Sequence, residues 1–137
     1  MHILVIDAQG GGIGRQVVSS VREEFPDAEI TAVGTNSMAT SAMLKAGADH
    51  GATGENAVIV GARKADVIIG PIGIVVADSL FGEITPAMAM AVGQSGAKRI
   101  LIPINHCDNI VVGIGDQGIK DLIREVIQVL RQIAINA

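Results

Sequence analysis

The stretch Met1-His2-Ile3-Leu4-Val5-Ile6-Asp7-Ala8-Gln9-Gly10-Gly11-Gly12-Ile13-Gly14-Arg15 decides the fold. Ile3 to Ile6 is an unbroken aliphatic run, which suits a strand covered on both faces in a parallel sheet. Asp7 ends the run and a cluster of glycines follows it. From Ile13 the apolar residues Ile13, Val17, Val18, Val21 and Phe25 recur at helical spacing until Pro26 stops them. A strand, a glycine-rich turn and a helix opening from that turn are the first two parts of a βαβ unit.

The pattern repeats along the chain. Glu29 to Gly34 reads as a second strand, and Asn36 or Ser37 caps a helix that ends near Ala46, with Gly47 as its stop. Asp49 to Thr53 reads as a short third strand. Glu55 to Lys64 reads as a helix despite its β-branched run Val58-Ile59-Val60. Asp66 to Ile69 is a fourth aliphatic strand, followed by a loop marked by Gly70, Pro71 and Gly73. Thr85-Pro86 opens a helix to about Ser95, with a hydroxyl cap and proline in the first turn. Lys98 to Ile104 is a fifth strand, Asn109 to Gly113 a short edge strand, and Gly118 to Ile133 an amphipathic helix. This alternation predicts one α/β domain over residues 1–137. Its expected form is a doubly wound, Rossmann-like, mostly parallel sheet of about five strands with helices on both faces. The expected strand order, 3-2-1-4-5, places the switch point between the first and fourth strands. Ligands in such sheets bind at the carboxyl ends of the strands there.

Composition narrows the function. Hydrophobic residues make up 49% of the 137 residues and charged residues 18%, so the chain can bury a core and is not disordered. So low a charge content also points to a homo-oligomer. The expected contact surfaces are the C-terminal helix and the methionine-bearing helix after Pro86. A net charge of −4 argues against nucleic acid as a partner, and the absence of Trp and Tyr argues against aromatic stacking platforms. The single cysteine, Cys107, excludes an internal disulfide and suits a reducing compartment. No apolar run approaches the roughly 20 residues that a membrane span needs. The N-terminal run has no basic segment before it, so a cytoplasmic protein is expected.

The glycine loop is the leading candidate site. Gly10, Gly11, Gly12, Ile13, Gly14 and Arg15 lie where a helix amino terminus offers unpaired N–H groups to a phosphate. Glycine there lets backbone come close to a ligand. Gly10 and Gly12 fit a G-x-G-x-x-G pattern, but Arg15 stands at its third glycine; a Walker loop fits worse. The second loop, with Gly70, Pro71 and Gly73, is expected to wall the opposite side of the crevice. The second strand ends in Gly34-Thr35-Asn36-Ser37, with no carboxylate to bond a ribose. Thr35, Asn36 and Ser37 either meet a ribose or a 2′-phosphate or only cap the next helix. NAD(P) is the cofactor weighed first, as one member of a wider class of phosphate-containing small molecules.

Asp7 is expected to accept hydrogen bonds from the loop's own N–H groups. Glu83 is expected to favour the start of the helix at Pro86 through the dipole, with a role as general base as the alternative. Asn105-His106-Cys107-Asp108-Asn109 follows the fifth strand at the same edge, and Asn105 joins the candidate ligand residues. The spacing of His2, His50 and His106 offers no metal site.

The loop ending Gly12-Ile13-Gly14 resembles that of short-chain dehydrogenases, as does the strand running into Gly73. Their catalytic chemistry needs a tyrosine that this chain lacks. The runs Asp7–Gly14, Ala32–Ser37, Met43–Ala57, Gly70–Val75 and Gly82–Gln94 resemble a family of short bacterial proteins carrying a domain-of-unknown-function label, number 3842. That resemblance covers nearly the whole chain. It implies a stand-alone bacterial domain and supplies no activity. The expected function is a nucleotide- or dinucleotide-binding module, a sensor or part of a complex. The alternatives are a small enzyme acting on a phosphorylated substrate and a ligand-free assembly protein.

Overall fold

Strand β1 (His2–Asp7) lies at the middle of a five-stranded sheet. Around it run β2 (Glu29–Gly34), β3 (His50–Thr53), β4 (Val67–Pro71) and β5 (Lys98–Ile102), in the order β3-β2-β1-β4-β5, and every neighbouring pair is parallel. The computed structural model describes residues 1–104 and 108–137. Ile3, Val5, Val67, Ile69, Ile30 and Ala32 belong to one core. Their strand neighbours Leu4, Ile6, Ile68 and Val33 belong to a second. Successive side chains of a strand point to opposite faces, so an unbroken aliphatic run feeds two cores at once.

Helices α1 (Gly12–Glu24), α2 (Ser37–Lys45) and α5 (Ile119–Ile135) cover the first core. Helices α3 (Glu55–Lys64) and α4 (Pro86–Gln94) cover the second. The caps are those the sequence suggests. The Asn36 side chain accepts from Ala39 N–H at 2.9 Å, and the Thr85 hydroxyl from Met88 N–H at 3.1 Å. At the far edge of the sheet, Arg22 donates to the carbonyls of Gly47, Pro26 and Ala28 and reaches Asp49 at 2.6 Å. It thereby ties the end of α1 to the starts of β2 and β3. The Ile30 N–H, with Arg22, holds the Asp49 carboxyl below its ordinary range.

The structure departs from the expected elements in several places. Asn109 to Gly113 forms no strand, which leaves β5 at the sheet edge. β5 ends at Ile102, just before Pro103, which has no N–H to continue a ladder. A 3-10 turn at Ile72–Val75 follows β4 where a plain loop was expected. β3 is exposed along its whole length because it is a short edge strand. The apolar face of α5, namely Leu122, Ile123, Val126, Ile127 and Leu130, is buried against the sheet, while Val129 and Ile135 of α5 and Met90 of α4 stay exposed. The large apolar side chains left in solvent are led by Phe81 (96% exposed), Val112 (93%) and Ile110 (91%). No helix among the described residues is long and apolar enough to cross a membrane.

Candidate functional site

The carboxyl end of β1 opens into the turn Asp7–Gly11, and α1 starts directly from it. A cavity of about 300 Å³ lies here, lined by the glycine loop, Gln16, Leu80 and Ile119. The four glycines of the loop divide into two pairs. Gly11 has φ 73°, and a Cβ there would meet the Ala39 backbone at 2.8 Å. Gly14 packs so closely that a Cβ would meet Met43 Sδ at 2.5 Å and Asp7 Cβ at 2.8 Å. The fold demands glycine at both. At Gly10 and Gly12 neither constraint applies: φ is not left-handed, and a Cβ would meet nothing within 4 Å.

Asp7 is buried and braces the loop from beneath. Its Oδ1 accepts from Ala8 N–H at 2.8 Å and its Oδ2 from Gly14 N–H at 2.7 Å. Burial pushes the carboxyl above its ordinary pKa, the two N–H groups pull it back part of the way, and the nearby Glu83 charge adds to the rise. The expected role of Asp7 as acceptor for the loop is the observed one. The remaining amides are then easily assigned. Gly11 N–H donates to Ala8 O, Arg15 N–H to Gly11 O, and Gln9 N–H to Glu83. The N–H groups of Gly10 and Gly12 have no protein partner among the described residues.

Glu83 sits differently from either expectation. Residues 76–85 double back across the sheet edge and bring its carboxylate to the end of β2. There it accepts from Thr35 Oγ1 at 2.7 Å, Asn36 Nδ2 at 2.8 Å and Gln9 N–H at 3.2 Å. Desolvation raises its pKa, but the bonds from Thr35, Asn36 and Gln9 outweigh it and hold the carboxyl below its ordinary value. The turn Val76–Gly82 contains left-handed Asp78, Leu80 and Phe81, and Gln9 opposite is left-handed too. Non-glycine residues pay for such backbone in strain, and strain of this kind clusters where chain segments are positioned for function. Glu83 is the clamp that holds both sides. A depressed pKa means that this stabilisation is complete above the ordinary glutamate value of 4.5 and is lost as pH falls through the lower folded value. Hydrogen exchange across residues 76–85, corrected for the intrinsic rate, is expected to quicken in acid below that point. Glu83→Gln is expected to exchange fast already at neutral pH, and equal protection in parent and variant at neutral pH would rule the clamp out.

The sequence-derived candidates therefore separate. Gly10, Gly11, Gly12 and Ile13 line the cavity, and Gly14 anchors the loop from below. Arg15 points away, onto a trough over α1. Thr35 and Asn36 face the site but are engaged by Glu83, and Ser37 is the exposed first residue of α2. Gly70, Pro71 and Gly73 do not converge on the cavity as expected. All three are buried; a Cβ on Gly70 would meet Ile6 O at 2.6 Å, and the Ser79 hydroxyl donates to Gly73 O. The loop they begin is covered by its own later residues, and Leu80 takes the place expected of it against the glycines. Asn105, with His106 and Cys107, lies outside the described residues. Among the described residues no three His, Cys, Asp or Glu side chains converge as a metal site. Leu80 and Ile119 were missed as lining residues, since each is brought in by a loop fold-back that has no local signature.

A family model described as Domain of unknown function (DUF3842) matches residues 2–135. The chain belongs to this family. The resemblance read from the sequence is thus the observed membership. No curated protein matches the chain in sequence. Among solved structures, it is similar to a dodecameric FMN-dependent Ubix-like decarboxylase from Escherichia coli O157:H7. The two are 19% identical with a TM-score of 0.49, over 98% of this chain and 76% of that one.

Proposed function

We propose that this DUF3842 member binds a phosphate-bearing small molecule of the nucleotide class at the glycine loop. One observation carries the reading. Gly10 and Gly12 are glycines that neither backbone conformation nor packing requires, and their N–H groups are without partners at the mouth of a helix. Glycine costs conformational entropy on folding, so a position that needs no glycine for the fold points to something absent that does. An anion on these two amides supplies that need. The reading rests on phosphate and not on NAD(P). The end of β2, where a dinucleotide ribose would be read, has Thr35 and Asn36 already bonded to Glu83. Both Asp7 oxygens are likewise bonded to backbone, so neither carboxylate is assigned a catalytic step. The test is mass spectrometry of material released by denaturing the purified protein. A co-purifying nucleotide or phosphorylated cofactor is expected. An empty protein that also gives no heat with phosphate, ADP or NAD in calorimetry would return the chain to the ligand-free alternative.

Self-association accompanies this reading. Phe81, Ile110 and Val112 are almost fully exposed apolar side chains, and a partner copy that covered them would remove them from water. Light scattering at micromolar concentration is expected to give a multiple of the 14.1 kDa chain mass. A single peak at that mass would count against it.

A further inference from the structure

A trough of about 830 Å³ runs along the outer side of α1, between α2 and α5. Three cations line it, one from each helix: Arg15, Lys45 and Lys120. No carboxylate lines it, although the chain carries 14 acidic residues against 10 Lys and Arg. Outside it Arg22 is paired to Asp49, Arg124 to Asp121 and Arg131 to Glu24, while Arg63, Lys64, Lys98 and Arg99 stand without an ion pair among the described residues but not gathered in one concavity lined by three helices. The side chains of Arg15, Lys45 and Lys120 have no ion pair or hydrogen bond among the described residues. Three like charges along one concavity repel each other, and an anion between them relieves that repulsion. The hydroxyls of Ser19 and Ser41 add donors, and the rest of the lining from α2 and α5 is largely apolar.

The trough and the glycine-loop cavity lie side by side and share a lining residue. Gln16 lines both, and its Nε2 donates to Gly12 O at 3.2 Å, so it stands at the junction. At the first turn of α5, Ile119 lines the cavity and the next residue, Lys120, lines the trough. On the side toward β2 the Glu83 clamp holds the Gln9 N–H of the cavity lining. A ligand seated on the Gly10 and Gly12 amides therefore extends over Gln16 and along α1.

We propose that the trough holds a second anionic group of the same ligand, so that the substrate class is a small molecule with two separated anionic groups, such as a sugar or nucleoside bisphosphate. This rests on the phosphate reading of the glycine loop. The experiment is isothermal calorimetry with two matched pairs of probes. These are fructose 6-phosphate against fructose 1,6-bisphosphate, and adenosine 5′-monophosphate against adenosine 3′,5′-bisphosphate. The proteins are the parent, Gly12→Val and the double variant Lys45→Glu/Lys120→Glu. Both lysines are exposed, so the double variant is expected to keep the parent's thermal transition. In at least one pair the bisphosphate is expected to bind the parent tenfold or more tightly than the monophosphate. The double variant is expected to reduce that ratio to below about twofold, with the loss confined to the bisphosphate. Gly12→Val is expected to weaken both members of the pair. A parent that shows no bisphosphate preference in either pair, or a double variant that retains it, overturns the trough proposal while leaving the loop reading standing. If Gly12→Val binds like the parent while the double variant loses the bisphosphate, the loop reading falls and the trough stands as an anion site. No binding of any probe to the parent overturns both.

Discussion

Gly12→Val is expected to abolish phosphate binding and leave the fold intact. The two effects separate because of where Gly12 stands. It is the exposed first residue of α1, its backbone is not left-handed, and a Cβ there meets no atom within 4 Å. The valine Cβ is therefore introduced without strain or collision, and the residue also restricts the unfolded chain. The melting temperature is expected to stay within a few degrees of the parent or to rise slightly. On the proposed reading, the space a side chain at Gly12 would fill is the space the phosphate takes. A branched side chain there holds the anion beyond the roughly 2.9 Å at which an N–H can bond it. Losing two hydrogen bonds to a charged group, at about 1.5–3 kcal/mol each, corresponds to more than a hundredfold in affinity. Gly11→Ala is the contrasting variant. Its positive φ and the Ala39 backbone at 2.8 Å place its effect on stability. Calorimetry with ADP together with thermal melts distinguishes the two. Parent-like affinity in Gly12→Val would show that the glycines serve the turn alone.

Asp7→Asn is expected to be the most damaging single polar substitution for stability. The Asp7 carboxylate is an acceptor at both oxygens, from Ala8 N–H at one and Gly14 N–H at the other. The amide of asparagine keeps one acceptor and turns a donor toward the second N–H. A buried donor then confronts a donor, and one of the loop's amides is left without a partner. Such a group costs about 1–3 kcal/mol, and the opposed donors add to it. For a chain of this size the melting temperature is expected to fall by roughly 5–10 °C. The pH dependence follows from the direction of the shift. The folded pKa of Asp7 is raised, so its contribution to stability is greatest in acid and declines as pH rises through the folded value. The gap between parent and variant is therefore expected to be narrower at neutral pH than in acid. Thermal melts across that range check both statements, and a variant as stable as the parent at every pH would remove the brace from the account of the loop.

Much of the architecture was decided locally, and for that reason it was legible in the chain. Ile3 to Ile6, Val67 to Ile69 and the β-branched residues between them can only be buried on two faces, so they demand a parallel sheet with helices above and below. Caps act within three residues, so Asn36 and Thr85 could be read from their neighbours. Even the role of Asp7 was visible, because its partners lie within seven residues of it. The errors have the opposite character. Glu83 bonds groups 47, 48 and 74 positions away, and nothing near Thr85 announces that its carboxylate will stand at the end of β2. Gly70 and Gly73 look like ligand-facing glycines in sequence. They are small because Ile6 O and the returning residues Ser79 and Leu80 lie against them. The four glycines of the first loop are chemically identical as letters. Only the packing of Ala39 and Met43, delivered by α2, separates the two that the fold requires from the two left facing an empty cavity. Local hydrogen bonding and hydrophobic period specify elements and their order, while the use of a residue at a site depends on which distant segment folds back to meet it.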